Sequence, residues 1–260
     1  MPEVCCRLKP LRMKKSNNME QIMYQVSTLQ ALAVGYTRGV VSVDDFLQHG
    51  DIGIGTFEWV DGEMILLDGE CYRALEDGTA VLAESDMSVP FGVTTFFRQD
   101  TSFSAQDVED IEALKQMLDL KIEEDFGLNS MHIVRIDGTF SQISARSASA
   151  YHSQHVTLKE ILLKTQKEFT LRDIRGTLVC VYFPDYMDTI NAAGWHLHFL
   201  SEDKSCGGHV IDLKMKQGTV IINKISRVQI ELPNTPAFDT YSLKDASQEE
   251  IKEVEQGMSR

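Results

Sequence analysis

Along this chain the spacing of apolar residues changes period several times, and each change marks an element. Between Met19 and Tyr36 the apolar content, with Leu29, Leu32, Ala33 and Tyr36 at helical spacing, predicts a helix. Ser42 ahead of Val43-Asp44-Asp45-Phe46-Leu47 predicts a short capped helix, because a serine hydroxyl accepts from the open N–H groups of a first turn. After His49-Gly50 the pattern becomes strand-like. Ile52 to Val60 reads as a strand, Asp61-Gly62 as a hairpin turn, and Glu63 to Leu75 as the return, closed by a turn at Glu76-Asp77-Gly78, which together make a β-meander. Pro90 to Phe97 supplies a further strand. Ser104 with Asp107 three residues on predicts a helix to Lys121, with Val108, Ile111, Leu114 and Leu118 as its apolar stripe.

In the second half, Met131 to Ile143 reads as two strands around Asp137-Gly138, and the capping box Thr157-x-x-Glu160 opens a helix through Gln166. Strands follow at Gly176–Phe183, Gly194–Leu200, Val210–Met215, Thr219–Ile225 and Val228–Leu232, with a turn at Gln217-Gly218. Pro233 and Pro236 end the sheet, and Ser247 with Glu250 marks a last short helix, Glu249–Gln256. Strands come in blocks with single helices between them. The expected class is therefore α+β: two sheet-based lobes of largely antiparallel or mixed sheets with a few flanking helices. The expected organisation is a flexible tail over residues 1–20, an N-terminal lobe with an extended mixed sheet over 21–150, and a β-rich C-terminal lobe over 151–260 whose tail folds back.

Composition mainly excludes. With 43% hydrophobic residues in 260, a packed core is within reach. Lys+Arg 25 against Asp+Glu 39 gives a net charge of −14, a field that repels phosphate backbones and anionic lipid, so neither nucleic acid nor a membrane surface is an expected partner. No run of ~18 apolar residues exists to span a bilayer. The N-terminal segment is basic yet has no apolar stretch of the signal-peptide kind. Five cysteines with no Cys-x-x-Cys argue against a disulfide framework and a thiolate zinc site, and a reducing cytoplasm is the expected compartment. Cys206 beside a glycine pair reads as an incidental loop thiol.

The candidate chemistry is concentrated in Trp195-His196-Leu197-His198-Phe199 and Cys206-Gly207-Gly208-His209. Residues i and i+2 of a strand share a face, so His196 and His198 reach one point. The polar run Ser201 to Ser205 reads as a loop, and the glycine pair lets the chain return with His209 beside the two. A lone strand histidine is more often a hydrogen-bonded core residue. Three of them at this spacing give the neutral ligands of a zinc site with its fourth position open.

The ordered set Gly55-Thr56-Phe57, Leu67-Asp68-Gly69-Glu70, Arg135-Ile136-Asp137-Gly138-Thr139-Phe140, Gly194-Trp195-His196-Leu197-His198-Phe199 and Gly207-Gly208-His209-Val210-Ile211-Asp212 resembles the α-acetolactate decarboxylases, over residues 23 to 257. The resemblance implies a zinc-dependent, homodimeric enzyme that converts (S)-2-acetolactate, a 2-hydroxy-3-oxo acid, to (R)-acetoin and carbon dioxide. It implies His196, His198 and His209 as ligands of Zn2+. The family's glutamate before the short aromatic segment falls on Glu70, its arginine six residues after Gly-x-Phe on Arg146, and its near-terminal glutamate on Glu255; these three are the implied catalytic and substrate-binding residues. Two departures are visible: Ser147-Ala148-Ser149-Ala150 replaces a Thr-Val-Pro-Arg-like run after the arginine, and Leu197 stands where relatives often carry a polar residue.

The chemistry asks for the same residue types. Loss of carbon dioxide from a 3-oxo acid leaves an enolate, whose charge a Lewis acid at the ketone oxygen stabilises. An arginine suits both the carboxylate and the intermediate. A carboxyl group, from Glu70 or Glu255, can carry the proton. The competing enzyme reading is a cupin-type oxygenase or isomerase, in which His196-x-His198-x-x-x-Glu202 is a metal motif and Glu202 a ligand; the second motif of that fold is missing, since His209 precedes Leu213. A metal-stabilised binding module needs a closed set of four ligands, where three histidines are offered.

Overall fold

The computed structural model describes residues 21–245, so the tail over 1–20, the terminal helix expected at Glu249–Gln256 and Glu255 itself lie outside the described residues. The chain runs from β1 (Ile22–Val26) and α1 (Leu29–Ala33) through β2 (Val41–Ser42), α2 (Val43–Leu47) and β3 (Ile52–Thr56) into the meander β4 (Glu63–Leu67), β5 (Glu70–Ala74) and β6 (Ala80–Leu82). Next come β7 (Ser88–Val89), β8 (Phe91–Thr95), β9 (Thr101–Val108) and α3 (Ile111–Asp125). The rest is β10 (Met131–Ser147), α4 (Leu158–Thr165), β11 (Lys167–Phe183), β12 (Gly194–Ser201), β13 (Gly207–Ile225) and β14 (Arg227–Glu231).

Two large sheets carry the fold, in the α+β class that the blocks of strands predict. One has seven strands in the order β14-β1-β8-β3-β4-β5-β6, the other five in the order β10-β11-β12-β13-β9. β10 pairs with β13 as well as with β11, so β10, β11, β12 and β13 close on themselves. The sheets are not divided at residue 150: β9 and β10 belong to the five-stranded sheet, and β14 returns to pair in parallel with β1 in the other.

Three apolar layers follow from strand alternation. Ile54, Ile65, Leu67 and Val93 of the first sheet meet Ile133, Val179, Val181 and Leu200 of the second in the layer between them. On the far side of the second sheet, Leu114, Leu118 and Ile122 of α3 cover Phe140, Leu178, Phe199 and Leu213. On the far side of the first, Phe46 of α2 packs with Tyr24, Met64 and Leu66. Each such side chain contributes ~1.5–3 kcal/mol on burial.

Three elements differ from the pattern-based expectation. The helix expected from Met19 to Tyr36 is instead β1 followed by the short α1. Met23, Tyr24, Gln25 and Val26 are all buried, because β1 is paired on both edges and packed on both faces, and so shows no alternation. The chain then turns at Ser27 (φ 59°), and the Thr28 hydroxyl accepts from Ala31 N–H at 3.2 Å to start α1. The helix expected at Ser104 starts after Asp110, whose carboxylate accepts from Ala113 N–H at 2.7 Å, while residues 101–108 form a strand against β13. Asp137-Gly138 and Gln217-Gly218 are not turns. They face each other in mid-strand, and a Cβ on Gly138 would lie 2.8 Å from the Gln217 carbonyl, so glycine serves close strand approach here.

Candidate metal centre

Alternation along β12 sends Leu197 and Phe199 into the layer under α3 and turns His196 and His198 toward the opposite sheet. Register adds the rest. His198 stands opposite His209 in the β12–β13 pair, and His209 opposite Arg146 in the β13–β10 pair. A register shift between Ser144 and Ala145 sets that last pairing. Gly208 makes the crossing possible: a Cβ there would sit 2.9 Å from the Arg146 carbonyl oxygen and 2.9 Å from the Phe169 ring. Residues more than sixty positions apart in sequence thus share one cross-strand row.

The three imidazoles converge. His196 Nε2 lies 3.1 Å from His198 Nε2 and 3.0 Å from His209 Nδ1, and one ring nitrogen from each falls within 4.8 Å of the others. All three are buried, at 9%, 0% and 4% exposure. Burial, helped by the Arg146 charge, pushes the His196 pKa down to about 3, and burial, then the neighbouring His196, pushes that of His198 well below its ordinary value, so both rings are neutral. A carbonyl only accepts, so the 2.7 Å contact from His198 Nδ1 to Met64 O places the ring hydrogen on Nδ1 and leaves the Nε2 lone pair facing the cluster.

Buried ring nitrogens that meet at 3.0–3.1 Å are the arrangement a cation satisfies. Tetrahedral Zn–N bonds of ~2.0–2.1 Å would set nitrogens ~3.3 Å apart. The residues fit a metal ion. Arg146 Nη2 lies 3.2 Å from His209 Nε2. A guanidinium only donates, so Nε2 accepts there, and a cation at Nδ1 needs the other tautomer of His209.

Glu63 completes the polar side, with Oε2 3.4 Å from His198 Nε2. It heads β4 with the parity of Ile65 and Leu67, so it faces the layer between the sheets where the histidines lie. A cavity of about 30 Å³ opens onto this group. Its polar wall is Thr56, Glu63, Arg146, His196 and His209; its apolar wall is Leu32, Val60, Phe91, Leu158 and Leu162.

The structure brings together His196, His198, His209 and Arg146, and leaves Glu70 out. Glu70 pairs with Leu67 at the turn end of the β4–β5 hairpin, whereas Glu63 pairs with Ala74 at the open end, four strand residues or ~13 Å away. It is exposed and accepts from the Tyr72 hydroxyl at 2.6 Å, so the carboxylate beside the histidines is Glu63. Glu202, the cupin ligand, is also elsewhere: it is 65% exposed and 3.6 Å from Arg175. Among the described residues only the three histidines group as a candidate metal site, and Cys206 is not part of it. Glu63 had a signal in the sequence: it follows the Asp61-Gly62 turn, which pairs it with Thr56 of Gly55-Thr56-Phe57.

A sequence model of the family described as alpha-acetolactate decarboxylase matches residues 23–245. A Methanosarcina mazei protein named alpha-acetolactate decarboxylase is 36% identical over 240 residues, covering 92% of this chain and 82% of that protein. A Bacillus subtilis protein of the same name is 35% identical over 235 residues, covering 89% of each. The crystal structure of alpha-acetolactate decarboxylase from Bacillus subtilis superposes with a TM-score of 0.85 at 33% identity, covering 90% of this chain and 99% of that one.

Proposed function

Since this chain belongs to the alpha-acetolactate decarboxylase family, we propose that it decarboxylates (S)-2-acetolactate to (R)-acetoin and that His196, His198 and His209 hold a zinc ion for that reaction. The observation that carries the reading is the convergence of three buried imidazoles beside a buried arginine and a carboxylate. When bound, such an ion supplies a Lewis acid for the electron pair left on the substrate as its C1–C2 bond breaks.

The other steps belong to this chain's own residues. Arg146 offers the carboxylate a planar pair of donors, and Gln166 fixes it by accepting from Nη1 at 2.8 Å. The low exposure of the site, 6% at Arg146, excludes water that would weaken this attraction. After carbon dioxide leaves, the former carboxyl-bearing carbon takes a proton, and Glu63 is the described carboxyl group placed to deliver it. The polar wall matches the substrate's three oxygen-bearing carbons and the apolar wall its two methyl groups. The resemblance adds Glu255 as a second carboxylate, a homodimer and the cytoplasm to the proposal. Among the described residues no helix is long and apolar enough to cross a membrane, and Cys71, Cys180 and Cys206 are free thiols.

Glu63 and Glu70 separate the geometric assignment from the motif-based one. Glu63→Gln is expected to lower kcat by ~10²–10⁴-fold with metal content unchanged, as loss of a proton carrier does. Glu70→Gln is expected to stay within about twofold of the parent, because Glu70 is exposed and its partner is the Tyr72 hydroxyl rather than a group of the cavity. A large loss at Glu70 with a normal Glu63→Gln enzyme would return the role to Glu70.

A further inference from the structure

A second cross-strand row crosses the five-stranded sheet on its α3 face. Lys224 of β13 stands opposite His132 of β10, His132 opposite Tyr182 of β11, and Tyr182 opposite Trp195 of β12. α3 closes over it at two points. Asp119 accepts from the Trp195 indole N–H at 2.7 Å, and the Phe126 ring lies 5.6 Å from that of His132, with Lys224 Nζ 5.7 Å from the Phe126 ring centre. The helix ends at Gly127, whose φ of 82° leaves the right-handed region, and the Phe126 and Gly127 amides donate to Ile122 O at 2.8 and 2.7 Å. The Tyr182 and Tyr186 hydroxyls hold the connection to β10 by donating to Leu128 O at 3.3 Å and to Asn129 O at 2.9 Å.

His132 is fully buried under this joint, and neither of its ring nitrogens closes a hydrogen bond among the described residues. A neutral ring tolerates that place. An imidazolium would bring a charge into an apolar setting, with the Lys224 cation as its direct cross-strand neighbour. We infer that His132 is an acid-sensitive latch: on taking up a proton it releases the last turn of α3, and the connection after it, from the sheet. Leu114 and Leu118 keep the rest of the helix in the core. The inference does not depend on the decarboxylase reading. Burial, the largest cause, lowers the pKa of His132 from 6.5 to about 4; the nearby Gly127 backbone opposes this, Lys224 adds to it, and Asp100, ahead of β9, opposes it. With the turn released the ring meets water and binds a proton near its ordinary pKa. The latched state is therefore fully favoured above pH 6.5 and loses ground as pH falls toward 4. Three other groups around the joint are moved away from this interval: hydrogen bonding between Lys121 and Asp125 raises the first and lowers the second, and burial raises Tyr182.

The test is hydrogen-exchange protection of the Phe126 and Gly127 amides, corrected for intrinsic rate, between pH 7 and 4.5 in the intact protein and in His132→Leu. In the parent, protection is expected to fall about fiftyfold over that range, while the fully buried Cys180 in β11 keeps its own. His132→Leu has no ring to protonate and should hold its protection at the end of α3. Acid release of a metal would act on both proteins alike, so their difference isolates His132. If the leucine variant does not fold, the ring resonances of His132 in the parent decide: protonation in step with loss of protection at Phe126 supports the latch. Protonation with a midpoint near 6.5 and protection unchanged overturns it, as does an equal fall in parent and variant.

Discussion

Replacement of His209 by alanine is expected to remove both bound metal and turnover. Three imidazoles with an open fourth position is the smallest donor set that retains a catalytic zinc ion, and beside them the described residues place the Glu63 carboxylate, 3.4 Å from His198 Nε2, but no further histidine or thiol to substitute for a lost one. His209 also lies between His198 and Arg146 in the cross-strand row, so its loss removes the group that Arg146 Nη2 meets at 3.2 Å. Metal content should fall to a small fraction of an equivalent and kcat/KM by at least ~10³-fold, since the Lewis acid is lost outright. His196→Ala and His198→Ala should behave alike. The sheets should survive, because the layer beside the histidines is built from Ile133, Val179, Val181 and Leu200. Elemental analysis with a melting curve separates the outcomes. A folded His209→Ala protein holding a full equivalent of zinc contradicts the three-ligand assignment.

Arg146→Lys is expected to keep the metal and the fold and to lose most of the rate. The lysine retains the charge but is a point donor, while the guanidinium offers a fork matched to a carboxylate. Arg146 is 6% exposed and fixed by Gln166, so a shorter ammonium cannot reach out for another geometry without losing its cover. Removal of one oriented donor from such a site costs ~10²–10³-fold in kcat. The loss should appear in kcat/KM for acetolactate with metal content unchanged, and Arg146→Gln should be worse, since it removes the charge in addition. Kinetics within about twofold of the parent would place Arg146 outside the chemistry.

What was readable in the sequence follows physical range. His-x-His and Gly-Gly-His are local patterns, and strand alternation alone turns His196 and His198 to one face. Two capped helices were readable too: the Thr157–Glu160 box and the Ser42 cap both form. The pairing of Arg146 with His209 was not, because it depends on a register shift in β10 and on a glycine that lets two strands approach. Nor was the choice between Glu63 and Glu70. Both have the parity that faces the layer between the sheets, and only their opposite ends of one hairpin separate a buried position from an exposed one. β1 was hidden for the opposite reason, since a strand buried on both faces loses the alternation that identifies it. The parallel return of β14 to β1 joins residues about two hundred apart and leaves no local trace.

The central claim is that this protein is a metal-dependent acetolactate decarboxylase, and acetoin release from 2-acetolactate, followed before and after removal of metal, tests it most directly. The purified protein should form acetoin and carbon dioxide in equal amounts, lose that activity after dialysis against a strong chelator, and recover it with one equivalent of zinc per chain. Undiminished acetoin formation by protein shown by elemental analysis to be free of metal would contradict it.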